Sequence, residues 1–292
     1  MPNQPMPLKN RARRVMPFFG LSMGISIFAL GLLVILPFLM MVLTTLQMGF
    51  DDIVRTIREP QVFAAIKLSL SMAMLATLTN LIFGTLAAWV LVRYEFWGKS
   101  FLNALVDLPF ALPTAVTGIA LATLYAPNGL FGRWFTRLGI LLFDEPIKIA
   151  FTPIGIWLAL VVVSFPFIVR AVQPVLAELS VEFEEAAAVM GAGRLTTFCR
   201  VILPEITPAM LIGAGMMFAR ATGEYGSVIF IAGNIPMQSE ILPLIIVSKL
   251  EQFDVAGAAC VSLFMLLISL VVLFTINFIQ WKLSARLGAK TN

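Results

Sequence analysis

The sequence predicts an all-α integral membrane protein with six transmembrane helices. Three observations predict it. The 292-residue chain is 60% apolar and only 12% charged, a balance foreign to soluble domains of this length. Its mean hydropathy is +0.96. Its apolar residues fall into six long runs with polar or charged residues on both sides, and about 20 apolar residues suffice to span a bilayer as a helix. The runs are continuous rather than alternating with period two, which excludes a closed barrel.

The first run, 18–46, follows a basic tail (1–17) carrying Lys9, Arg11, Arg13 and Arg14. It is too long for a secretory signal and no small-x-small site follows it, so it is expected to remain as span one. Span two covers 68–92. Span three, 102–126, contains "DLPFALPTAVTG", with Pro109 and Pro113 four apart, then Thr114 and Thr117. Prolines free backbone carbonyls and threonine hydroxyls satisfy freed groups, so a kinked, pathway-lining helix is preferred to plain packing. Asp107, at the start of this span, reads as an acidic group welcomed by a helix N-terminus. Spans four, five and six cover 151–174, 207–232 and 255–281, and a tail follows from 282 to 292. Glycines 213, 215, 223 and 226 in span five permit close helix approach or local unwinding. Gly20 and Gly24 form only a weak GxxxG in span one.

Orientation follows from lysine and arginine. With the N-terminus inside, twelve of the twenty fall in cytoplasmic segments (Arg93, Lys99 and Arg170 among them), seven fall outside, and Arg220 lies within span five. The positive-inside rule therefore predicts both termini in the cytoplasm. The net charge of +4 is too diffuse for a nucleic-acid partner. No histidine is present, which removes histidine-based catalysis and metal binding. Cys199 and Cys260 have no metal spacing and fall on opposite sides of the predicted bilayer, so they read as packing residues. "WGKS" at 97–100 imitates the end of a phosphate loop, but the required first glycine is Arg93 and a spanning helix precedes it. Arg93 and Lys99 read as a positive-inside anchor. The outer segments 47–67, 126–150 and 233–254 hold no ligand constellation.

The segment between spans four and five, 175–206, is too long for a simple turn. "ELSVEFEEAAAVM" combines helix formers, an acidic first turn and Ser180 as N-cap. Gly191 and Gly193 interrupt it, and "RLTTFCRVIL" resumes at helical spacing. Two short helices meeting at a glycine elbow are expected along the cytoplasmic face. Ala186–Ala188 and Gly191 offer a shallow surface for another protein, while an amphipathic helix anchored in lipid fits equally well.

"EAAAVMGAGRLTTFCRVILP" resembles the EAA loop of bacterial ABC-importer permeases, the ABC type I importer permease fold. Glu185, Ala186, Ala187, Gly191, Leu203 and Pro204 match, and Val201 stands where isoleucine is usual. "DLPFALPTAVTGIALATLY", "SFPFIVRAVQPVLAEL", "ARATGEYGSVIFIAGNIP" and "KLEQFDVAGA" extend the resemblance to sulfate/thiosulfate permeases of the CysT (CysU) type. The resemblance implies that Glu184 and the motif residues form a coupling helix seated on a separate ATPase subunit, present in two copies, where ATP and Mg bind. It implies a second permease of CysW type, a periplasmic sulfate/thiosulfate-binding protein, a bacterial inner-membrane location and no cofactor in this chain. A molybdate or other oxyanion permease is the near alternative, and a non-transporting scaffold or passive channel the distant one.

Arg220 and Glu224 are four residues apart near the middle of span five. Each ionised group there costs about 2.5–3.5 kcal/mol on insertion scales, so the two must be compensated or useful. Two readings stand: a structural ion pair, or a pair that opens while Arg220 offsets the charge of a passing oxyanion. Thr114, Thr117, Tyr225 and Ser227 complete the candidate pathway.

Overall fold

Apolar runs that bury part of their surface against one another produce a bundle of long helices. The computed structural model describes residues 19–288, without the side chains of Phe143 and 283–288. The basic tail 1–17 and Lys290 lie outside the described residues. Helix α1, Phe19–Leu46, includes a widened turn at Gly31–Ile35, just before Pro37. Proline has no N–H to donate and its ring clashes one turn back, and the wide turn absorbs both. Helix α2, Phe50–Arg58, is short and amphipathic, with Asp51 and Asp52 at its start and Arg55 and Arg58 at its end, matching the helix dipole.

Helix α3, Pro60–Arg93, begins eight residues before the predicted span two, because Pro60 suits a first helical turn. Span three is broken rather than kinked. Helix α4, Lys99–Ala111, and helix α5, Thr114–Tyr125, meet at 111°. Pro113 forces its predecessor out of helical geometry, and Leu112 is extended at φ −88° and ψ 138°. Helix α6, Leu130–Phe143, is amphipathic and leads to α7, Pro153–Glu178.

The expected loop 175–206 is mostly helical. Helix α8, Glu182–Val189, is followed by a four-residue elbow, and α9, Arg194–Thr222, then runs on as span five. The second short helix expected from the sequence is thus the foot of span five, joined to it by a wide turn at Phe198–Ile202 just before Pro204. Span five also stops at Thr222, ten residues earlier than expected. The chain then passes through the short α10, Val228–Ile231, and α11, Leu242–Glu251, before α12, Val255–Gly288.

The core lies where α3, α7 and α9 meet. Ala73, Ala76, Ile156, Ala159, Ile168, Val172, Ile206, Met217 and Phe218 are all buried there. Lipid is as apolar as leucine, so such a core is held by close van der Waals packing and small residues favour it. A Cβ on Gly213 of α9 would lie 3.0 Å from that of Ala171 on α7. A smaller cluster joins Val62, Ala65 and Ile66 to Leu242, Ile245 and Val261. α1 packs on α12 and exposes most of its apolar surface. A Cβ on Gly20 or Gly24 would meet nothing within 4 Å among the described residues.

Candidate functional site

The elbow between α8 and α9 is built by its glycine. Gly191 has φ +81°, the left-handed region where a Cβ is strained. The N–H of Gly191 bonds the carbonyl of Ala188 at 2.9 Å, and that of Ala192 bonds Ala187 at 3.0 Å, closing the C-terminus of α8. Ser180 Oγ accepts from the N–H of Glu182 at 3.3 Å, although Val181 holds the cap position. Ala187 is buried while Ala186 and Glu185 face outward. Around them Phe183, Val189, Met190 and Leu195 are exposed apolar residues. Leu195 fits the helical spacing of the sequence, whereas Phe183, Val189 and Met190 carry no role there, although large apolar residues in a polar segment are a usable signal. Val201, Leu203 and Pro204 lie half-buried where α9 enters the bundle.

Glu184 does not share the outward face of Glu185. Its Oε1 lies 2.8 Å from Nε of Arg93, an ion pair off the hydrogen-bonding direction, and Arg93 is only 12% exposed. Nη2 of the same arginine donates to the carbonyl of Leu179 at 2.9 Å. Arg93 is therefore not a free surface anchor. It ties the end of α3 to the end of α7 and to α8. Trp89, one turn earlier, packs between Tyr94 and Phe198, with ring centroids 5.8 and 5.4 Å away. Lys99 pairs with Glu95 at 2.7 Å on the exposed surface.

The second constellation lies where the broken span meets the end of α9. A Cβ on Gly118 would fall 2.3 Å from the carbonyl oxygen of Ser227, and one on Gly226 would fall 2.2 Å from Oγ1 of Thr114. No larger residue fits this crossing. Arg220 Nη1 meets Glu224 Oε2 at 2.5 Å although Glu224 stands beyond the helix end. Glu224 Oε1 accepts from the N–H and Oγ of Ser227 at 2.8 and 2.9 Å, restarting the chain towards α10. Glu224 is 2% exposed, whereas the Arg220 side chain is 36% exposed. The structure thus brings Arg220, Glu224, Ser227, Gly226 and Thr114 together. Thr117 is buried one turn along α5, and Tyr225 is half-buried.

Asp107 does not cap a helix. It lies in the third turn of α4 and meets Arg170 of α7 through both oxygens: Nε to Oδ1 at 2.7 Å and Nη2 to Oδ2. Arg170 also reaches Oε1 of Gln173 at 2.6 Å, and Oδ1 and the carbonyl of Asn103 at 3.2 Å each. It sits inside α7, leaving eleven cations in the segments that the sequence places in the cytoplasm and the same expected bias. At the opposite end of the bundle from the elbow, in segments the sequence places outside, Lys249 meets Glu59 at 3.0 Å and Asp254 at 3.3 Å. Burial, the largest influence on its ammonium, lowers the pKa, but Glu59 and Asp254 together outweigh it and hold the pKa above its usual 10.5.

A helical bundle with one broken span, and an elbow projecting between its fourth and fifth spans, has the ABC type I importer permease fold. Two solved structures share it. A bacterial ABC transporter involved in the import of the acidic polysaccharide alginate aligns with TM-score 0.71 at 17% identity, covering 90% of this chain and 94% of that one. The inward-facing MetNI methionine ABC transporter aligns with TM-score 0.55 at 16% identity, covering 77% and 98%. Residues 80–288 match the family described as binding-protein-dependent transport system inner membrane component. The sulfate transport system permease protein CysT of Escherichia coli K12 is 45% identical over 275 residues, 94% of this chain and 97% of that protein. A probable sulfate transport system permease protein of Nephroselmis olivacea is 46% identical over 84% of each chain. The chain belongs to the binding-protein-dependent transport system inner membrane component family, among its CysT-type permeases. It is a multi-pass transport subunit, and the ATPase of such an importer is a separate subunit.

Proposed function

We propose that this chain carries sulfate and thiosulfate across the bacterial inner membrane as half of an ATP-driven pore. The observation that carries this reading is the match to the Escherichia coli sulfate permease along nearly the full length of both chains. A second permease of CysW type forms the other half. Two ATPase chains bind ATP and Mg and grip α8 and the elbow, and this chain holds no cofactor. A periplasmic sulfate/thiosulfate-binding protein delivers the anion to the outer loops, and both termini lie in the cytoplasm.

The geometry supports a division of labour. Glu185, Ala186, Val189 and Met190 face outward for the ATPase, while Ala187, Glu184 and Arg93 fasten α8 to the bundle. Closure of the ATPase dimer moves α8, and the fastening carries that motion into α3, α7 and α9. Arg220, anchored by the buried Glu224, faces the path with Thr114, Thr117, Tyr225 and Ser227 around it.

The test is labelled-sulfate uptake by proteoliposomes holding the assembled importer, with unlabelled sulfate, thiosulfate or molybdate as competitor. Sulfate and thiosulfate are expected to compete at similar concentrations and molybdate only at much higher ones. Dominant competition by molybdate would move the chain to the other oxyanion class, and absence of uptake would favour a scaffold.

A further inference from the structure

We infer that Arg170, Asn103 and Gln173 form a second oxyanion station on the transport path, held shut by Asp107 in the state described here. The inference rests on the oxyanion-transport reading above.

Depth is the first observation. Gly213 abuts Ala171, so Arg170 lies at about the level of Gly213 on α9. Arg220 is seven residues further along α9, about 10 Å at 1.5 Å per residue. Asp107 reaches the level of Arg170 through its contact with that residue. The two arginine–carboxylate pairs are therefore stacked, with Arg170–Asp107 nearer the cytoplasm.

Exposure is the second. Glu224 is 2% exposed and fixed by Ser227 on its other oxygen, so its carboxylate stays in place beside Arg220. Asp107 is 47% exposed and Arg170 34%. A pair serving structure alone at this depth belongs inside the packing. A pair turned to lipid would carry the full cost of charge in hydrocarbon. Half-exposed charges inside a spanning bundle belong beside water, and in a transporter the water lies along the path.

Chemistry is the third. A guanidinium fork binds a tetrahedral oxyanion as it binds a carboxylate, through two parallel N–H donors. Gln173 Nε2 donates to Asn103 Oδ1 at 3.2 Å, so the two amides already sit beside that fork and can turn their NH2 groups towards an anion. A dianion arriving from Arg220 competes with the singly charged Asp107 for Arg170. The return of Asp107 then expels it towards the cytoplasm.

The test uses the assembled importer in proteoliposomes. If the wild type fails to accumulate sulfate with ATP, the substrate reading falls and not the station. With wild-type uptake established, Arg170→Gln is expected to cut uptake at least tenfold while hydrolysis stimulated by the loaded binding protein stays within twofold. Arg170→Lys should recover part of the loss. Asn103→Cys, in a Cys199→Ser, Cys260→Ala background, should react with a water-soluble thiol reagent from the cytoplasmic side. Millimolar sulfate, but not chloride at equal ionic strength, should slow that reaction severalfold. Wild-type uptake by Arg170→Gln, or a thiol that is unreactive or indifferent to sulfate, would overturn the inference. If Arg170→Gln does not assemble, the labelling result decides alone.

Discussion

Glu224 and Asp107 show how two carboxylates at similar sequence prominence come to different uses. Glu224 is buried and triply engaged, so removing Arg220 alone would leave an unpaired buried charge, at a cost of about 3–5 kcal/mol. Arg220→Ala therefore confounds folding with transport. The double variant Arg220→Gln, Glu224→Gln removes both charges and is expected to assemble normally yet lose at least tenfold in sulfate uptake. Normal uptake by that variant would make the pair structural only. The four-residue spacing made this pair legible in the sequence. The Asp107–Arg170 pair was not, because its partners stand 63 residues apart and only the fold brings them together. Gly191 and Gly193 look alike in sequence, but only Gly191 has a positive φ, and a Cβ at either meets open space. Gly191→Ala should cost about 1–2 kcal/mol from the left-handed backbone and weaken stimulation of ATP hydrolysis, while Gly193→Ala should leave both unchanged in thermal-shift and hydrolysis assays. Lys249 adds a pH signature. A base whose pKa is raised by folding adds stability that is full below 10.5 and fades as pH climbs through its raised value. Thermal stability of the wild type should thus fall at strongly alkaline pH, and a Lys249→Met variant should lose part of that dependence.

Among the elements, the proposed coupling falls on the joint of α3, α7 and α8. Arg93 read in sequence as one cation in a positive-inside tally, since nothing local links it to Glu184, 91 positions away. The fold makes it the bolt between a spanning helix and α8, the helix proposed to meet the ATPase. Arg93→Glu should uncouple the importer, leaving ATP hydrolysis while uptake falls severalfold. Adding Glu184→Arg should restore much of the uptake by re-forming the pair in reverse. Failure of the reversed pair to rescue would remove Arg93 from the coupling route. The broken third span was half legible. Pro109, Pro113 and the threonines announced a departure from straight helix, but the 111° turn depends on α5 docking against Ser227 and Gly226, contacts no local pattern encodes. The early end of span five was half legible as well: Gly223 and Gly226 allowed unwinding, but the bonds from Ser227 to Glu224 that turn the chain there have no local signature.

At the scale of the whole molecule, six apolar runs and the spacing of one cytoplasmic motif carried the fold class, because lipid demands long helices and leaves few alternatives. What the runs left open was which polar residues within them meet. The fold answers with two stacked ion pairs, one locked and one half-exposed, above an elbow bolted to three helices. That arrangement suits a machine in which an anion moves only when the elbow is driven. The most direct test measures ATP hydrolysis and labelled-sulfate accumulation together, in proteoliposomes holding the assembled importer, with and without loaded binding protein. The account predicts that the loaded binding protein raises both, and that sulfate does not enter when ATP is withheld. Sulfate equilibrating without ATP, or hydrolysis stimulated with no sulfate moved, would contradict it.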